Sequence, residues 1–368
     1  MSAEVNEVVN TLAEPIEARW REKQPFLASK SYMLRPRFHP DWEPSWNGVD
    51  KDKAECEDSI SLPLREDVID ARRMSDDKPV YIKRVETDDN ETRIACMLSS
   101  EGCRNDPRNH AVPILDHFED DVNPSVSYLV MPLLRAVDDP PFETVEDIAD
   151  FCGQILEGLA FQYEKGVAHR DCSYRNIMMD AMGLYPHGYH PVNNNMLPDG
   201  ITPATPLSRS AHRESIRYYF IDFGISIVMP PMAKAKAKPR MVKGHDGRDR
   251  DPPELHSDDP YDPFKLDMFI VGNLFRQTLL EKYSNIEFLL PLVSTMTQDD
   301  PASRPNAAQA LQQWRSIQGE LWKAQLRREL TSRGAPEGSQ PGLSHSAYRL
   351  GRVVFTKSWA WFQRMFVL

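Results

Sequence analysis

His169-Arg170-Asp171-Cys172-Ser173-Tyr174-Arg175-Asn176 and, downstream, Ile221-Asp222-Phe223-Gly224 are the two stretches whose reading decides the fold. Each sits beside an apolar, strand-like run: Ile177-Met178-Met179 follows the first, and Tyr218-Tyr219-Phe220-Ile221 leads into the second. A carboxylate, an amide and a second carboxylate therefore fall in loops at strand ends, where a rigid scaffold can present polar groups. Upstream, Thr144 followed by Asp147 reads as a helix cap. Ile148, Phe151, Ile155, Leu159 and Tyr163 then repeat on one face of a helix that stops at Gly166, just before the first stretch.

H-R-D-x-x-x-x-N followed by D-F-G resembles the catalytic loop and metal-binding turn of eukaryotic protein kinases. The resemblance implies an α+β, bilobal fold: a small antiparallel-sheet lobe, a larger and mainly helical lobe, and ATP with Mg²⁺ in the cleft between them. Phosphoryl transfer needs a carboxylate to receive the acceptor's proton and oxygen ligands for the metal. By resemblance Asp171 takes the first role, and Asn176 and Asp222 take the second. Val80-Tyr81-Ile82-Lys83 is similar to the family's V-A-I-K strand, which makes Lys83 the ligand of the α- and β-phosphates.

Glu91, on a helical pattern over residues 90–98, is the expected ion-pair partner of Lys83. Two alternatives stand beside it. Asp88-x-x-Glu91 resembles a capping arrangement that would occupy Glu91 locally. Glu101 could serve instead, although Gly102 signals that the helix has ended there. Met131 would guard the adenine pocket, and Leu133 would offer its backbone to the base. Arg175 is similar to the arginine of the tyrosine-kinase loop R-D-L-A-A-R-N and joins the catalytic set, while Ser173 stands where Ser/Thr kinases carry lysine. The remainder of the tyrosine-kinase pattern is missing, so the expected acceptor is a protein Ser or Thr hydroxyl.

Further along, Pro252-Pro253-Glu254 resembles the family's A-P-E ending. Asp267, on an apolar helix, would brace the catalytic loop, and Arg304 of Asp300-Pro301-Ala302-Ser303-Arg304-Pro305 would pair with Glu254. This set argues against a small-molecule phosphotransferase, which shares the H-x-D loop but lacks these three residues. One motif is missing. Gly48 is the single glycine before residue 102, so the phosphate-cradling glycine loop is absent or replaced. That favours the non-enzyme alternative, a pseudokinase acting as a nucleotide-binding or scaffold module.

The resemblance covers residues 66–315, with the small lobe at about 66–132 and the large lobe at about 133–315. Residues 1–65 form an N-terminal extension, with a helical pattern over 4–24 that Pro15 interrupts. Its Leu34-Arg35-Pro36-Arg37, Pro44-Ser45-Trp46 and the Val68–Arg73 strand resemble a kinase-like group of mushroom-forming fungi. Ala111–Phe118 and Ser127–Pro132 read as two more strands. Residues 181–216, rich in His, Pro and Asn without periodicity, read as a solvent-exposed, mobile insertion, with no metal role for His187 or His190.

The basic run Lys234, Lys236, Lys238, Arg240 and Lys243 reads as a solvated loop. Ser226 is the lone hydroxyl between Ile225 and Asp251, so Arg170 is expected to dock a fixed acid, Asp249, without phosphorylation. Residues 316–368 comprise a helix end, a linker and an aromatic tail.

Composition narrows the class. With 368 residues, 40% hydrophobic and 27% charged, the chain can bury a sizeable core. A net charge of −11 argues against nucleic acid as a partner. Five scattered cysteines without a C-x-x-C pair suit a reducing compartment, cytoplasmic or nuclear. No apolar run is long enough for a transmembrane helix, and none is of signal-peptide type.

Overall fold

A computed structural model describes residues 2–62, 67–229 and 241–334, with side chains from residue 15 onward. In chain order the first half contains α1 (Ser2–Ser29), β1 (Tyr32–Met33), β2 (Val68–Arg73), β3 (Lys78–Glu86), α2 (Asn90–Leu98), the one-turn α3 (Glu101–Arg104), β4 (Asp116–Glu119) and β5 (Val126–Pro132). The strands form one antiparallel sheet in the order β1-β2-β3-β5-β4. β3 buries Val80, Ile82 and Val85, while β2 is buried at three successive positions, Ile69 to Ala71, and the two join through a tight turn in which Asp77 takes φ +56°.

The N-terminal segment is built into this sheet, beyond the appended extension expected from sequence. β1 is an edge strand, and Trp20 and Leu27 of α1 bury against Ile69, Ile82, Tyr128 and Val130 on the sheet's outer face. α1 also runs unbroken through Pro15, where an interruption was expected, and through Pro25. Each helical proline costs about 3 kcal/mol, a penalty that burial of Trp20 and Leu27 helps to offset.

The strand expected over 111–118 is confined to Asp116–Glu119. Pro113 has no N–H for a ladder, and the chain before it turns instead to the other half, where Val112 N donates to the Phe220 carbonyl at 2.9 Å.

The second half adds β6 (Arg135–Ala136), α4 (Val145–Glu164), β7 (Val167–Ala168), β8 (Ile177–Asp180), β9 (Arg217–Phe220), β10 (Ile227–Val228), α5 (Pro263–Phe275), α6 (Leu290–Met296), α7 (Ala307–Glu320) and the short α8 (Lys323–Leu326). β6-β8-β9 and β7-β10 are small antiparallel ribbons. α4 begins at the expected capping box of Thr144 and Asp147. It ends at Gly166, whose φ of +76° suits glycine and where a Cβ would meet the Met229 carbonyl oxygen at 2.0 Å. Phe151, Ile155, Phe220, Phe275 and Trp314 lie in the main core. With helices segregated from an antiparallel sheet, the chain is α+β.

Residues 181–216 depart from expectation most. Leu184, Tyr185, Tyr189, His190 and Arg209 are buried. The Arg135 guanidinium lies over the rings of Tyr185 (4.6 Å) and Tyr189 (4.5 Å), and Arg135 Nη1 donates to the Asn194 carbonyl at 2.5 Å. Tyr81 Oη of β3 donates to the Pro191 carbonyl at 3.1 Å, and His190 Nε2 meets Glu57 at 3.1 Å. The insertion is a packed clasp between the sheet half and the helical half.

All five cysteines are free. Among the described residues no helix is long and apolar enough to cross a membrane. The basic run, except Lys243, and the aromatic tail lie outside the described residues, as does the proposed boundary at 65–66.

Candidate active site

Strand β3 places Lys83 opposite Leu129 of β5, facing the first turn of α2. Asp89, not Asp88, caps that helix, accepting from the Thr92 N–H at 2.7 Å. Glu91 is therefore left free, and Lys83 Nζ donates to its two carboxylate oxygens at 2.6 and 2.8 Å. The same ammonium reaches Asp222 Oδ1 at 3.1 Å. Burial disfavours the Lys83 charge, but Glu91 and Asp222 outweigh it and hold the group above its ordinary value. Asp222 takes φ +64° and Arg170 φ +67°, left-handed conformations that are uncommon outside glycine and cluster at working sites.

The loop carrying Asp171 hangs from Asp267 of α5, a buried carboxylate that accepts from the backbone N–H of His169 (2.7 Å) and of Arg170 (2.6 Å). Burial pushes Asp267 up to about 7, while these donors pull the other way. His169 is fully buried, and burial pushes it down to about 4. Its partners fix the neutral tautomer: Nδ1 accepts from the Asp171 N–H at 3.3 Å, so Nε2 donates to the Ile221 carbonyl at 3.1 Å. This imidazole joins the two motifs, as does the Ile221 N–H, which donates to the Asn176 carbonyl at 2.9 Å.

Asp171 Oδ1 accepts from the backbone N–H of Arg248 (2.9 Å) and from Ser173 Oγ (3.3 Å), and Oδ2 accepts from Asn176 Nδ2 (2.8 Å). Burial raises Asp171 above the usual carboxylate range, and Arg248 opposes that. Because Asn176 spends its amide nitrogen on Asp171, its amide oxygen remains a candidate metal ligand, alongside the partly exposed Asp222 carboxylate. Two hard oxygen donors suit Mg²⁺, which completes its shell with water and phosphate. Among the described residues no three His, Cys, Asp or Glu side chains converge as a metal cage.

The structure thus gathers Lys83, Glu91 and Asp222 in one cluster, and Asp171 and Asn176 in an adjoining one. Arg175 stays outside both: it is half-buried, and its side chain makes no hydrogen bond or ion pair with the other described residues. Met131 lies opposite Tyr81 at the end of β5, and the buried Leu133 has its carbonyl engaged by Tyr189 Oη at 3.4 Å.

Asp249 does not dock on Arg170. It accepts instead from the buried Asn273 at 2.7 Å, which also donates to Asp251 at 3.0 Å. Arg170 is held by the Ile225 carbonyl (3.1 Å), the Lys243 carbonyl (3.3 Å) and Tyr261 Oη (3.0 Å), with Asp246 at 3.9 Å. The neutral amide of Asn273 captured the acid that Arg170 was expected to take. Ser226 is buried and donates to the His169 carbonyl at 3.0 Å.

Glu254 and Arg304 form the expected buried bidentate pair at 2.5 and 2.8 Å. Sequence reasoning missed Tyr261, Arg248 and the Glu57–His190 contact, none of which lies in a motif. No family model matches the chain, and no curated protein matches it.

Proposed function

We propose that the chain is an ATP-dependent protein kinase that transfers the γ-phosphate to a protein Ser or Thr hydroxyl. The observation that carries this reading is the placement of Lys83 between Glu91 and Asp222, next to an Asp171–Asn176 pair braced by Asp267. In this mechanism Lys83 binds the α- and β-phosphates, held in place by Glu91. Asn176 and Asp222 hold Mg²⁺, which neutralises charge developing on the phosphates. Asp171, with Oδ2 steadied by Asn176, orients the acceptor hydroxyl and takes its proton. The Glu254–Arg304 pair supports a protein kinase over a small-molecule phosphotransferase.

A specific observation favours a pseudokinase as the second reading. The connection between β1 and β2, where a glycine loop would cradle phosphates, is residues 34–67, and its one glycine is Gly48.

Thermal-shift titration with Mg-ATP, followed by transfer of labelled phosphate to protein acceptors, tests both readings. The wild type is expected to be stabilised by millimolar Mg-ATP, and Asp222→Asn to lose the metal-dependent part. Asp171→Asn should keep the shift but lose transfer by roughly 10²-fold or more. A shift without transfer in the wild type would select a nucleotide-binding pseudokinase, and no shift would end the kinase reading and leave a pseudokinase scaffold.

A further inference from the structure

A second charge stands beside Asp171. Arg248 Nε lies 3.8 Å from Asp171 Oδ2, in addition to the backbone N–H that binds Oδ1. The Arg248 side chain is 37% exposed while that of Asp171 is 12% exposed, so the cation is open to a ligand where the acid is nearly covered. Gly247 makes this approach possible. Its φ is +104°, and a Cβ there would sit 3.0 Å from the Arg170 carbonyl oxygen.

The segment is pinned on both sides. Upstream, Tyr261 Oη donates to the Gly244 carbonyl at 2.9 Å and Arg170 reaches the Lys243 carbonyl. Downstream, Asn273 holds Asp249 and Asp251, and Arg276 adds a contact to Asp251 at 3.1 Å. A gate over Asp171 would have to leave. A segment anchored at both ends is a fixture, and fixed charge aimed at a reacting centre is what transition-state stabilisation requires.

We infer that Arg248 is a catalytic cation whose guanidinium binds the phosphoryl group in transit, a role that rests on the kinase reading above. In the step, the acceptor oxygen bonds to the γ-phosphorus and its proton passes to Asp171. The bond from that phosphorus to the β,γ-bridging oxygen breaks, its electron pair leaving with ADP. Negative charge spreads over the equatorial phosphoryl oxygens, and a guanidinium fork suits them. Lys83, paired with Glu91 and Asp222, is assigned to the α- and β-phosphates, so a second cation is needed for the phosphoryl group in transit.

The test is calorimetric titration of the full chain with Mg-ADP and with a non-hydrolysable Mg-ATP analogue, for wild type, Arg248→Ala and Arg248→Lys. The backbone N–H to Asp171 persists in both variants. Arg248→Ala should bind Mg-ADP as the wild type does, but lose about tenfold or more of the preference for the analogue. Arg248→Lys should retain part of it, and turnover should fall in the same order.

An undiminished preference in Arg248→Ala overturns the proposal, as does an equal loss for both nucleotides, which marks a structural role. Raised turnover overturns it too, in favour of a gate. If the wild type binds neither nucleotide, the kinase reading itself fails and takes this proposal with it.

Discussion

The imidazole of His169 packs against Phe223 at 4.9 Å and Phe220 at 5.8 Å, with both ring nitrogens committed to backbone partners. A proton on Nδ1 would face the Asp171 N–H, so the folded chain resists protonation until pH falls to about 4. The unfolded chain takes that proton below about 6.5. Between the two values the unfolded state binds more protons, so stability is lowest in acid and rises as pH climbs from 4 to 6.5. The stability of wild type relative to His169→Phe should therefore grow by on the order of 3 kcal/mol between pH 4 and 7. Urea unfolding at a series of pH values measures it, and a constant difference would show that the charged ring is accommodated. At this scale Lys83, Asp171, Asn176 and Asp222 were legible because residue type and order along the chain carry their meaning. Arg248 and Tyr261 were not, because they reach the site through a loop whose path depends on distant anchors. Asp249 was misread because sequence cannot weigh two competing partners, Arg170 and Asn273.

Helices announce their own ends, which is why α4 is legible: Thr144 with Asp147 closes a capping box around apolar periodicity. The matching box of Asn306 and Gln309 that opens α7 went unread. The insertion has no such grammar. It is held by a guanidinium over two tyrosine rings, by backbone carbonyls, and by His190, contacts that leave no period in the sequence. His190 Nδ1 accepts from the Asn193 N–H (2.8 Å) and the Val192 N–H (3.2 Å), while Nε2 meets Glu57. His190→Ala leaves two backbone donors without their acceptor, although Glu57 keeps Arg35 at 3.1 Å. The expected loss is about 1–3 kcal/mol, read by denaturant unfolding. A loss below about 0.5 kcal/mol would mean that water replaces the ring without cost.

Over the whole molecule, the α+β class was legible through the resemblance that the two loop motifs carry. The partition was less so. Arg35, within the 34–67 connection, sends its guanidinium to Asp70 of β2 (2.9 Å), to Glu57 (3.1 Å) and to the Ile60 carbonyl (2.8 Å), so the segment before residue 66 is stitched to the sheet by charge as well as by Trp20 and Leu27. A fragment starting at residue 66 would bare the face carrying Ile69, Ile82, Tyr128 and Val130, and would leave β2 as an open edge. Such edges recruit one another. The fragment should elute from a sizing column as aggregates at concentrations where the full chain is monodisperse, and a monomeric fragment would contradict this. Helix α1 and strand β1 thus double as a cover, lying over the apolar face and the open edge through which sheets of separate copies would meet.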